Sequence, residues 1–221
     1  MLLTFFTIAV PLLSSYYYGA SAHHIDPSTN PNSTIESFSF LRQWSWTNAD
    51  FDVIANYNLT QVMKLETKIV DHLLTGFGLT LTHLPSQEQL KVEINSGGIW
   101  CGFGQTYKIK KDDKTIYQYM IDPRYGLVDR WHIKKSENLT QSYTWKRNFR
   151  GLAGVVKRDD DHKKVAYLKV ETLGSDTLAS AVHSKLPGTT NYTIITNGEV
   201  PLEVLISLYA GAAIRKDRCN W

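Results

Sequence analysis

The chain has 221 residues, of which 43% are hydrophobic and 20% charged, and 24 Lys and Arg against 21 Asp and Glu give a formal net charge of +3. A chain of this length suits one large all-β or mixed domain and excludes a string of several. Its two cysteines allow one intramolecular disulfide at most.

The N-terminal residues Leu2 to Leu13 form an apolar stretch, the segment from Ser14 to Gly19 is short and mixed, and Ala20-Ser21-Ala22 offers small residues for cleavage. That order is the order of a secretory signal. A membrane anchor is the competing reading, but about 12 apolar residues fall short of the ~20 that cross a bilayer, and Pro11 interrupts them. Residues 1–22 are therefore expected to be removed, leaving roughly 199 residues that begin near His23 in a secreted, extracellular protein. Asn-x-Ser/Thr sequons at Asn32, Asn58, Asn138 and Asn191 suit a glycoprotein that has passed through the endoplasmic reticulum. In that oxidising compartment Cys101 and Cys219 are expected to pair, the alternative being two buried thiols.

Residues 23–36 are expected to be a flexible lead, because His23 to Pro31 is polar and rich in Pro, Ser and Asn. One domain, 37–221, follows. From Ser37 apolar and polar residues alternate, with Phe38, Phe40, Trp44 and Trp46 at even spacing, which is strand patterning. An internal period of about 26 residues then governs the chain. Met63-Lys64-Leu65-Glu66-Thr67 is echoed by Leu90-Lys91-Val92-Glu93-Ile94 and later by Leu168-Lys169-Val170-Glu171-Thr172. Strand-like Ile116 to Met120 and Ser142 to Lys146 occupy the intermediate places. Gly76-Phe77-Gly78-Leu79-Thr80-Leu81 and Gly102-Phe103-Gly104-Gln105-Thr106-Tyr107 keep the same spacing.

Each unit holds two strand-like runs joined by turn chemistry: Leu84-Pro85-Ser86, Lys111-Asp112-Asp113, Asp122-Pro123-Arg124 and Asp159-Asp160-Asp161. About six hairpins, or twelve antiparallel strands, fit the chain, and a twisted sheet of that size closes or nearly closes into a barrel. The last segment changes period. Pro201 to Lys216 starts with a proline, carries Glu203 in its first turn and ends in Arg215-Lys216, all favourable to a helix. Between Val204 and Ile214 it is apolar on every face except for Ser207, Gly211 and the Tyr209 hydroxyl, so a helix over 201–216 must be buried. Ala210, Gly211, Ala212 and Ala213 let sheet side chains come close to it. The resulting expectation is a mainly β fold, a barrel threaded by its own C-terminal helix.

Repeated hairpins ending in one hydrophobic helix resemble the tubby C-terminal-like superfamily, which includes LURP-one-related proteins and phospholipid scramblases. The resemblance covers roughly Phe51 to Cys219 and rests on three stretches: Gly102 to Ile109, the strand-turn-strand run Tyr107 to Ile121, and the helix Pro201 to Arg215. It implies the helix-filled barrel and a phosphoinositide-binding function. The leader argues instead for a ligand met outside the cell.

No HExxH, Cys-x-x-Cys, G-x-S-x-G or P-loop pattern occurs, so no catalytic residue, cofactor or metal ligand is assigned. Asp159, Asp160 and Asp161 have the chemistry of a calcium site, but one turn supplies too few oxygens, and a solvated hairpin turn is the simpler reading. Cleavage after Ala22 would make His23 an N-terminal residue able to bind copper, as in secreted oxidases. A hydrolase or oxidase of this kind needs a pocket lined by two or more of His72, His83, His132 and His183.

Charge supplies the remaining candidate. Between Gln105 and Val170 there are 16 Lys and Arg against 8 Asp and Glu, while the rest of the chain carries 8 against 13. Lys134, Lys135, Lys146, Arg147, Arg150 and Lys157 lie in neighbouring hairpins, interleaved with Trp131, Tyr143, Trp145 and Phe149. If cations and aromatics share a face, they suit a membrane or an anionic polymer; otherwise the aromatics are core. The expected function is a non-catalytic binding module for an anionic lipid, glycan or protein surface. A monomer without a transmembrane segment or a nucleic-acid partner is expected, and a purely structural surface protein is the third reading.

Overall fold

The computed structural model describes residues 24–42, 49–69, 77–95, 105–111, 116–124, 130–147, 151–172 and 190–219. Among them are twelve strands. The first six are β1 Glu36–Arg42, β2 Ala49–Ala55, β3 Thr60–Ile69, β4 Phe77–His83, β5 Gln89–Asn95 and β6 Thr106–Lys111. The second six are β7 Tyr117–Arg124, β8 Arg130–Lys134, β9 Tyr143–Arg147, β10 Gly154–Arg158, β11 Lys164–Thr172 and β12 Thr190–Thr196. Each strand pairs antiparallel with its neighbour in sequence, and β1 pairs with β12, so the sheet closes into a barrel. The expected fold class is the observed one.

The period of about 26 residues is the hairpin repeat. Its echoes at Met63, Leu90 and Leu168 fall on β3, β5 and β11, and the intermediate runs fall on β7 and β9. All are odd-numbered strands, which run in one direction around the barrel. Because side chains alternate across a strand, the shared register carries the same residues inward each time: Met63 and Leu65, Leu90 and Val92, Leu168. Phe38 and Phe40 of β1 also point inward; Trp44 and Trp46 lie outside the described residues. This apolar-in, charged-out pattern is the reverse of a lipid-facing barrel.

The interior is filled by the helix α1, Leu202–Cys219. Residues 204–215 are buried throughout, as a segment apolar on every face requires. The helix starts one residue later than expected and runs three residues past Lys216. The Pro201 carbonyl accepts the N–H groups of Val204 and Leu205 at 3.1 and 3.2 Å. Ser207, the polar intruder, donates its hydroxyl to the Glu203 carbonyl at 2.6 Å. A chain of aromatic contacts wraps α1: Phe40 stacks on Tyr192 at 5.1 Å, and Tyr192 meets Tyr209 at 5.4 Å. Tyr209 meets Trp145 at 6.0 Å, Trp145 meets Trp131 at 6.0 Å, and Trp131 meets Tyr107 at 5.4 Å. Gly211 makes room for this belt, since a Cβ there would lie 3.1 Å from the Tyr107 ring.

Two expectations need correction. Asp122-Pro123-Arg124 is the end of β7 rather than a turn, paired with β8 through His132, Trp131 and Arg130. Pro123 is tolerated because it lies near a strand end, where its missing N–H costs little, and its ring is buried opposite Trp131. The lead is not free-standing either. The Asp26 N–H donates to the Lys164 carbonyl at 2.8 Å, and the Lys164 N–H donates back to the Asp26 carboxylate at 2.7 Å. The Thr29 N–H donates to Glu199 at 2.8 Å, Ser33 donates its hydroxyl to the Asn197 carbonyl, and Ile25 is buried. A polar composition suggested freedom, but these groups find backbone and side-chain partners at the barrel rim. Leu84-Pro85-Ser86 and Asp159-Asp160-Asp161 form turns as expected; Asp112 and Asp113 lie outside the described residues.

Candidate functional site

The alternation of β8, β9 and β10 settles where the basic hairpins place their side chains. Trp131, Tyr143 and Trp145 face inward and are buried, so these aromatics are core and do not share a face with the lysines. Phe149 and Arg150 lie outside the described residues. Lys146 is exposed and Lys157 half-buried, both on the outer wall, and Lys135 is exposed beyond the end of β8. Lys134 is also on the wall, but the Asp122 carboxylate stands 3.2 Å from its ammonium. Arg147 has the inward parity of Tyr143 and Trp145 and lies at a barrel mouth, apart from the other predicted cations.

The wall holds two basic residues that the sequence reading omitted. Arg130 is directly opposite Lys146 in the β8–β9 register, and Lys164 is opposite Lys157 in the β10–β11 register. Like charges opposite each other on adjacent strands are destabilising, by up to about 1 kcal/mol per pair. Among the described residues, none of Arg130, Lys146, Lys157 and Lys164 makes an ion pair. Several other lysines are matched: Lys64 with Asp50 and Glu66, Lys110 with Glu93, Lys111 with Glu88, Lys169 with Glu171. Val155 and Tyr167 continue the Arg130–Lys146 row across β10 and β11, adding an apolar and aromatic step to the basic strip. Parity was the signal that could have found Arg130, since buried Trp131 and Ile133 send residues 130, 132 and 134 outward.

The mouth at which the odd strands end gathers a second group of cations. Arg42, the last residue of β1, is only 5% exposed, and its Nη2 donates to the Thr190 hydroxyl at 3.4 Å. Burial pulls its guanidinium below the ordinary value, against a smaller upward effect of Tyr192. Arg215 of α1 is 9% exposed and lies over the Trp131 ring at 5.7 Å. Lys216 is lowered by burial first, then by Arg147 and Arg42.

At the opposite mouth a buried ion pair ties the rim together. The Arg158 guanidinium donates to the Glu199 carboxylate at 2.7, 2.9 and 3.1 Å, and Asp161 adds a contact at 2.6 Å. The other carboxylates of that turn are also engaged: Asp159 accepts from Thr144 at 2.6 Å, and Asp160 from the Asp161 N–H at 2.7 Å. His83 stands 3.9 Å from Glu203, beside the first turn of α1, whereas His132 is on the outer wall against Thr144 at 3.0 Å. These two described histidines do not converge; His23, His72 and His183 lie outside the described residues.

Asn32, Asn58 and Asn138 are exposed, and Asn191 is half-buried within β12 on its outward face. Cys101 and the Cys219 side chain lie outside the described residues, so the expected bridge does too. Among the described residues no helix is long and apolar enough to cross a membrane.

These features define a twelve-stranded antiparallel β-barrel closed around its own C-terminal helix, with a basic strip on the outer wall. No family model matches the chain, and the search of curated proteins finds no match. An X-ray structure of a protein from Arabidopsis thaliana aligns over 85% of this chain and 92% of its own, at 10% identity and a TM-score of 0.48.

Proposed function

We propose that the protein is a secreted, non-catalytic glycoprotein whose barrel binds an anionic glycan surface through the strip on β8 to β11. The observation that carries this reading is the pair of like-charge positions opposite each other in the sheet register, Arg130 with Lys146 and Lys157 with Lys164, on a wall where Lys110 and Lys169 have carboxylate partners. A polyanion would relieve the repulsion that the fold carries. The inward turn of Trp131, Tyr143 and Trp145 removes these three from the aromatic belt that bilayer insertion would use, which favours a polymer over a lipid surface. The leader and sequons support secretion and glycosylation. The bridge from Cys101 to Cys219 is part of the proposal, and the β5 end, the β6 start and the α1 end share one mouth. A closed barrel with a buried terminal helix is also what the resemblance to the tubby C-terminal-like superfamily implies, and membership of it as a secreted protein is part of the proposal.

Retention of the mature glycoprotein on immobilised heparin tests the reading. Wild type is expected to elute in a salt gradient below about 0.5 M, where screening shortens the reach of exposed charges to a few ångströms. A Lys146→Gln, Lys157→Gln double variant should elute earlier, and Lys110→Gln, whose partner is Glu93, should not. Elution unaffected by the double variant would refute the reading. Stronger binding to phosphatidylserine vesicles than to heparin would transfer it to lipid.

A further inference from the structure

The hairpin between β2 and β3 carries two large apolar side chains on its tip. Ala55 pairs with Thr60, so Asn56, Tyr57, Asn58 and Leu59 form the turn, closed by the Leu59 N–H donating to the Ala55 carbonyl at 2.8 Å. Tyr57 is 72% exposed and Leu59 78%. Single apolar residues on a surface need no explanation, but Leu59 also has a φ of 58°, in the left-handed region that glycine or asparagine favours because a Cβ is crowded there. The turn thus spends an unfavourable conformation on an exposed leucine, where a small or polar residue would serve.

The turn is firmly held. Asn56 donates its N–H to the Ser37 carbonyl at 2.8 Å and its side-chain amide to the Ser37 and Ser39 hydroxyls at 2.8 and 2.9 Å, which pins the turn to β1. Asn58, between the two apolar residues, is exposed, and its Oδ1 accepts from the Thr60 N–H at 3.1 Å and the Thr60 hydroxyl at 2.7 Å. Those bonds use the amide oxygen alone, so a sugar on Nδ2 leaves them intact. The other sequons are flanked differently: Asn32 by Pro31 and Ser33, Asn138 by the buried Leu139, and Asn191 by the buried Thr190 and Tyr192.

We propose that Asn58 bears an N-linked glycan whose first N-acetylglucosamine packs on Tyr57 and Leu59. The inference rests on the secreted reading above, since the sugar is added in the endoplasmic reticulum. There Nδ2 attacks the anomeric carbon of an oligosaccharide carried on a lipid diphosphate. The C–N bond forms, the C–O bond to the diphosphate breaks, and the Nδ2 proton is lost as the lipid diphosphate leaves. The C–H face of the sugar suits the negative face of the Tyr57 ring, and Leu59 extends that surface. Strands β1 and β12 separate this hairpin from the basic strip on β8 to β11.

The full chain, produced with its leader in eukaryotic secretory cells, is digested for glycopeptide mass spectrometry, and Asn58 should carry sugar. The intact protein is then trimmed to one N-acetylglucosamine per site by an endoglycosidase, or to none by an amidase. Between these two forms Tm should fall by about 2–4 °C in wild type, the worth of one aromatic stacking contact in a domain of this size. The fall should be less than half as large in Tyr57→Ala, which undergoes the same change at every other sequon. In wild type the single sugar should also slow nitration of Tyr57, a comparison that needs no variant. Equal falls in Tm, or equal nitration with and without sugar, overturn the packing, and a bare Asn58 beside occupied sequons overturns the site. Four bare sequons in a chain held inside the cells refute the secreted reading itself, and this inference with it.

Discussion

Gly154 opens β10 opposite Arg147, and the interior at that point has no room for a methyl group. A Cβ built there would lie 2.4 Å from the Lys146 carbonyl oxygen, 2.5 Å from the Trp145 indole nitrogen and 3.0 Å from the Arg147 Cα. Two of those atoms belong to the β9 backbone, so no rotamer change relieves the clash, and Trp145 is wedged between Trp131 and Tyr209. Gly154→Ala must therefore push β9 away from β10. Overpacking of this kind costs about 1–3 kcal/mol, and the entropy that alanine removes from the unfolded chain returns only about 0.4–1 kcal/mol. A net loss of about 1–2 kcal/mol corresponds to a drop in Tm of about 2–8 °C for a domain of this size. Gly78→Ala is the matched control, because the nearest atom to its built Cβ is the Lys68 carbonyl oxygen at 4.0 Å. Scanning calorimetry of the two variants should separate them. Equal Tm values, or a Gly154→Ala protein as stable as wild type, would refute the packing of β9 on β10 described above.

Three further outcomes are expected. The Tyr209 hydroxyl is fully buried with no hydrogen-bond partner among the described residues, so Tyr209→Phe should raise stability by about 1 kcal/mol in denaturant titration; a loss would reveal a partner. Arg158 and Glu199 are 4% and 5% exposed in their side chains, and Glu199→Ala, which strands the guanidinium, should cost about 3–5 kcal/mol, whereas replacing both by apolar residues of similar volume should restore most of it. Burial, with smaller contributions from Glu203 and Glu199 respectively, pushes the Tyr119 and Tyr143 hydroxyls up from 10.0 to about 12. The neutral form is thus the one the fold holds: their contribution is complete below pH 10, falls as the unfolded chain ionises, and is lost by about pH 12. Tm should decline over that window, and less steeply in a Tyr119→Phe, Tyr143→Phe double variant.

The hairpin repeat was legible because a buried face imposes a period of two, and a barrel imposes the same turn spacing again and again. Met63, Leu90 and Leu168 show both constraints in the sequence. The burial of α1 was legible too, since no partly exposed helix is apolar on every side. The basic site was only half legible. Which cations sit near one another was clear from the hairpins, but a shift of one residue exchanges the two faces of a strand. Lys146 and Arg147 are adjacent in sequence and lie on opposite sides of the wall.

The lead shows the other limit. Nothing local in His24 to Ser33 distinguishes a free tail from one tied down, because its partners Lys164, Asn197 and Glu199 are more than a hundred residues away. Pro123 failed for a related reason: its turn propensity is local, whereas its pairing with Trp131 belongs to the sheet.

By itself, the sequence determined a strand-rich chain of repeated hairpins that must bury a hydrophobic C-terminal helix, because periodicity and composition are properties of neighbours along the chain. Only the tertiary structure decided that the sheet closes between β1 and β12, that Arg130 is opposite Lys146, and that β1, β9 and α1 end at one mouth. Those are contacts between distant segments, set by register and by the direction in which each strand runs.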